Sequence, residues 1–92
     1  MRVALTERLQ RDARALAPEQ RDALLDVILA LPAGLADVHR HAGLGVRKLH
    51  ASGIWEARVG LGVRVVFTRA EDTLTLVRAG THDDIRRFLK TL

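Results

Sequence analysis

The sequence predicts an α+β domain with element order β-α-α-β-β-β-α, in which an antiparallel sheet is packed by an N-terminal helical hairpin. Three observations carry this. Apolar residues recur at helical spacing as far as Leu31, the apolar period changes to two from about Trp55, and 92 residues are enough for one domain, residues 1–92, but not two.

Arg2 to Leu5 reads as a short edge strand. Thr6 is an N-cap residue type, and Leu9, Ala13 and Leu16 then fall on one helical face. Pro18 suits the first position of a second helix, with Glu19 in its positive first turn. Leu24, Leu25, Ile28 and Leu31 give that helix an apolar face, and Pro32 and Gly34 are expected to end it. Only Ala17 separates the two patterns, so the helices pair as a hairpin. Gly34, Gly43 and Gly45 mark turns around His39, Arg40 and His41, which are expected to be exposed. Trp55, Ala57 and Val59 alternate with Glu56 and Arg58. Gly60-Leu61-Gly62 reads as a hairpin turn, and Val63, Val65 and Phe67 continue on a second strand. Thr73 to Ala79 forms a third strand with Leu74 and Leu76 on one face. Thr81 or Asp83 caps a last helix anchored by Ile85, Phe88 and Leu89.

Composition narrows the function classes. Hydrophobic residues make up 48%, in the globular range, and there is no cysteine, which rules out disulfide and thiolate-zinc scaffolds. Charges begin at Arg2, so the start is read as carrying no secretory signal. No apolar run approaches the roughly 18 residues of a membrane span, and a cytoplasmic protein is expected. The formal charge is +4. Residues 1–31 are neutral, with five Arg and five acidic residues, so residues 32–92 hold the whole surplus: ten Lys or Arg against six acidic residues. A basic half on a small domain suggests a polyanion or an acidic protein as partner. His39 and His41 are closely spaced but have no cysteine and no clear third ligand, so no metal site is expected.

The hairpin register follows from its turn. If Val59 pairs with Val63, then Ala57 faces Val65, Trp55 faces Phe67, and on the other side Arg58 faces Arg64. Like charges directly opposite are destabilising. A bound anion would reverse the sign, because Arg clamps phosphate through two hydrogen bonds. The alternative is that Glu56 neutralises one Arg diagonally and the pair is simply solvated.

Gly45-Val46-Arg47-Lys48-Leu49, Gly53-Ile54-Trp55-Glu56-Ala57-Arg58-Val59, Val63-Arg64-Val65-Val66-Phe67 and Leu74-Thr75-Leu76-Val77-Arg78-Ala79-Gly80-Thr81-His82 stand in an order that resembles the RelE/ParE toxin superfamily. The resemblance implies the toxin of a type II toxin–antitoxin system. Its RelE-type members are endoribonucleases (mRNA interferases) that enter the ribosomal A site and inhibit translation by cutting mRNA, with the RNA's own 2′-hydroxyl as nucleophile and without metal or cofactor. The partners so implied are the ribosome, mRNA and a cognate antitoxin, whose short acidic segment would wrap the basic face or displace the C-terminal helix. A ParE-like gyrase inhibitor and a non-catalytic, antitoxin-binding decayed toxin are the alternatives on the same fold. Carried over position by position, Arg64 would stabilise transition-state charge, Lys48 would contact the backbone or move a proton, and His82 stands where many members have Arg and would do acid–base chemistry. Arg47, His50, Arg58 and Arg86 would contact RNA phosphate, and His50, two residues after Lys48, is the other candidate acid or base. Phe88 stands near a family Tyr and can stack on a base but has no proton to give. His50 and His82 also read as ordinary surface or turn histidines, Arg86 and Arg87 as solvated, and Trp55 as core.

Overall fold

A computed structural model describes residues 1–36, 43–51 and 53–92. His39, Arg40 and His41 lie outside the described residues. In chain order the elements are β1 (Arg2–Leu5), α1 (Glu7–Ala15), α2 (Pro18–Ala36), β2 (Arg47–His50), β3 (Ile54–Val59), β4 (Val63–Ala70), β5 (Thr73–Gly80) and α3 (His82–Leu89). The strands form one sheet in the order β1-β5-β4-β3-β2.

The period-two pattern sets the middle of that sheet. β3 and β4 pair in the expected register, with Val59 opposite Val63, Ala57 opposite Val65, Trp55 opposite Phe67 and Arg58 opposite Arg64. One face buries Ala57, Val59, Val63, Val65, Phe67, Leu74 and Leu76 against Leu9 of α1 and Leu24 and Leu31 of α2. Each of these Val, Leu and Phe side chains contributes about 1.5–3 kcal/mol when fully removed from water. On the opposite face Ile85 of α3 packs with Ile54 and Val66, with Leu49, Val77, Phe88 and Leu89 around them. The caps are also as the sequence suggests. Thr6 Oγ1 accepts from the Leu9 N–H, and Thr81 and Asp84 form a reciprocal capping box at the start of α3.

Three features depart from expectation. A fourth antiparallel-sheet strand, β2, lies on the outer edge and pairs with β3 through a bulge between Lys48 and His50. Its sequence, RKLH, has one apolar residue and no alternation to betray it; it forms because β3 offers an open ladder. The sheet is antiparallel from β2 to β5, but β1 joins β5 in parallel, Val3 opposite Leu74 and Leu5 opposite Leu76. Finally, α2 does not end at Pro32 and Gly34 but runs through both to Ala36. The proline deletes one backbone bond, while continuation packs Leu35 on the core and places Gly34 where a Cβ would overlap the Leu44 side chain.

Beyond Leu5, α1 completes the sheet edge with side chains. Thr6 donates its hydroxyl to the Val77 carbonyl at 3.1 Å. Asp12 Oδ2 accepts from the Ala79 N–H at 2.9 Å and from Arg78 Nε at 2.8 Å. These groups answer the backbone positions of β5 that the four-residue β1 is too short to reach.

Candidate functional site

The α3-side face of β2, β3 and β4 gathers the basic side chains. Arg47 stands opposite Glu56 and Arg58 opposite Arg64. The Glu56 side chain is only 4% exposed; its Oε1 accepts from Arg47 Nε at 2.6 Å and lies 3.8 Å from Arg64 Nε. The diagonal neutralisation considered from sequence is therefore present, yet the one carboxylate serves only two of the three guanidinium groups, those of Arg47 and Arg64. Among the described residues Arg58 has no ion pair. Its side chain runs across Gly45, whose φ of +61° is open to glycine, and a Cβ there would overlap the guanidinium and stand 3.1 Å from Arg58 Cδ. The outcome is an incompletely compensated cationic strip on a sheet face, half open to water: the Arg64 side chain is 25% exposed and that of Arg47 62%.

The remaining sequence candidates fall in different places. The β2 bulge brings His50 opposite Ile54, on the face of Glu56 and Arg58, and His50 is exposed. Gly80 is the β5 partner of Arg64, and His82 follows two residues on, first in α3 and exposed. Arg86 is exposed on α3. Lys48 pairs with Trp55, whose ring packs with the helical-hairpin core; the register thus directs Lys48 to the other face from Arg64. Phe88 is half-buried on the α3 side, and the Arg78 guanidinium carbon sits 5.7 Å from its ring centroid, so its open face already carries a cation. The sequence had drawn no attention to Arg78 or Asp12. No local spacing signals their pairing, since 66 positions separate them.

At the start of α3 the Asp84 carboxyl is held below its ordinary value, first by the Thr81 backbone N–H and then by the Thr81 hydroxyl and Arg87. Among the described residues no group of three or more His, Asp or Glu is placed to hold a metal ion, and no helix is long and apolar enough to cross a membrane.

No family model matches the chain, and no curated protein matches its sequence. Solved structures do match. The toxin–antitoxin complex DinJ–YafQ of E. coli superimposes with a TM-score of 0.72 at 16% identity, over 90% of this chain and 93% of that one. The chain has the RelE/ParE toxin fold. The YoeB/ParE toxin of Agrobacterium tumefaciens matches at a TM-score of 0.67 and 19% identity, covering 89% of this chain and 99% of that one. The archaeal RelE–RelB complex of Pyrococcus horikoshii matches at 0.66 and 15%, covering 87% and 92%. RelE/ParE-fold chains are therefore matched over nearly their whole length.

Proposed function

We propose that this chain is the toxin of a type II toxin–antitoxin pair and cuts translated mRNA. The observation that carries the proposal is the Arg47–Arg58–Arg64 strip, in which Arg47 and Arg64 share one buried carboxylate and Arg58 stands opposite Arg64. A structural sheet gains nothing from such an arrangement, whereas a phosphodiester does. Its likeness to toxins solved with their antitoxins supports a cognate antitoxin as protein partner; the ribosome and mRNA as target follow from the sequence resemblance alone. In the reaction the 2′-oxygen forms a bond to the adjacent phosphorus and the bond to the 5′-oxygen breaks. Arg64 and Arg58 stabilise the charge that builds on the phosphorane. His82, two residues beyond the β5 partner of Arg64, takes the proton that the 2′-hydroxyl loses and returns it to the departing 5′-oxygen. Arg47, His50 and Arg86 hold flanking phosphates. Lys48, on the far face, has no part in the chemical step and contacts RNA or ribosome outside it, and Phe88 supports α3 under Arg78.

The protein fits a cytoplasmic setting, where that target is found. The test is induction of the intact chain in bacteria, alone and as Arg64→Ala, with transcript ends mapped by primer extension on a translated message. The expected result is cuts inside codons that require translation and vanish in the variant. The absence of a tyrosine anywhere in the chain favours a second, non-nuclease reading, a gyrase inhibitor or a binding module without activity. Growth arrest with intact message would establish the former, and neither arrest nor cuts the latter.

A further inference from the structure

We infer that Glu56 is a positioning residue: its buried carboxylate holds the Arg64 guanidinium in the orientation in which it meets a phosphate. The inference rests on the anion-binding reading of the strip. Arg64 faces Arg58 directly across the β3–β4 ladder, so its own charge drives it away from the site. Two contacts oppose this. Its Nη1 donates a long 3.5 Å bond to the Val63 carbonyl, and its Nε stands 3.8 Å from Glu56 Oε1. The same oxygen accepts the 2.6 Å bond from Arg47, which fixes the carboxylate in turn. Glu56 sits on β3 with strands on either side and its side chain is 4% exposed, so it is shielded from direct contact with substrate. A central, buried carboxylate that meets two arginines from neighbouring strands sets their separation, leaving the outer edges of both guanidinium groups for a ligand. The arrangement costs affinity, because Glu56 also cancels charge that would attract RNA, and that opposition makes the role testable.

Glu56→Gln keeps the side-chain shape and an acceptor for Arg47 but removes the charge. Three quantities are measured: thermal midpoint, affinity for a single-stranded RNA made uncleavable by 2′-deoxy substitution, and single-turnover cleavage of message on programmed ribosomes. The expected result is a folded variant that binds the RNA several-fold more tightly yet cleaves at least tenfold more slowly, with Glu56→Asp recovering part of the rate. In the free protein the Arg64 Nε–H resonance, slow to exchange in the parent, becomes fast in Glu56→Gln. Cleavage and binding that fall together in step with stability, or an Arg64 Nε–H unchanged by the substitution, would overturn the role. Should Glu56→Gln not fold, the resonance is read in Glu56→Asp, where a longer reach to Arg64 must speed its exchange or the role is wrong. If the parent cuts no message but the Arg64 resonance responds, the nuclease proposal fails and the positioning of Arg64 stands.

Discussion

Asp84 is a single residue with a readable pH signature. Its carboxylate accepts from the Thr81 N–H at 3.0 Å and pairs with Arg87, and it lies in the positive first turn of α3. Because its folded value lies below the ordinary 3.8, its stabilisation is fully present above about that pH and is lost as pH falls through the lower folded value. Asp84→Asn should therefore be less stable than the parent at pH 6, by about 0.3–1 kcal/mol. Urea midpoints taken again at pH 3 should show the gap narrowing. At this scale the sequence was uneven. The Arg58–Arg64 apposition was legible because a period of two and a short turn fix a register. The sides to which Lys48 and His50 point were not, because β2 has no hydrophobic alternation to fix its register against β3 and the bulge after Lys48 returns His50 to the face of Arg47.

Among the elements, α1 acts as both helix and sheet border. Its Asp12 binds the Ala79 N–H and Arg78 and also lies 3.4 Å from Arg8. Asp12→Ala should destabilise the domain by about 1–3 kcal/mol, since a partly buried guanidinium and an amide lose their acceptor together. The check is equilibrium urea unfolding with an unchanged m-value; an unaltered midpoint would mean that water replaces the carboxylate at no cost. The helices and the three apolar strands were legible from periodicity and caps. β2 was not, because an edge strand of mostly exposed residues carries no hydrophobic pattern. The end of α2 was misjudged, because the penalty at Pro32 is local while the gain from packing Leu35 and Gly34 comes from residues distant in sequence.

For the whole molecule, charge and connectivity matter most. The surplus of +4 and the open strip imply that RNA affinity falls linearly on a log–log plot against salt. Arg47→Ala should lower the magnitude of that slope by about 1, measured by fluorescence anisotropy between low and physiological salt, while a slope equal to the parent's would place Arg47 outside the contact. Connectivity has a different effect. The Arg58–Arg64 pair lies in one local hairpin, but β1 finds its partner only in β5, and Thr6 reaches Val77 across 71 positions. Closing a loop of that length costs on the order of 4 kcal/mol of chain entropy. During synthesis the first strand must therefore wait for the last, with its apolar residues exposed, until nearly the entire chain has been made. The arginine pair exists earlier, on an unfinished sheet, so a growing chain passes through a period in which it already attracts RNA but lacks its edge. A partner that met it then would meet β4 with the edge that β5 later covers still vacant.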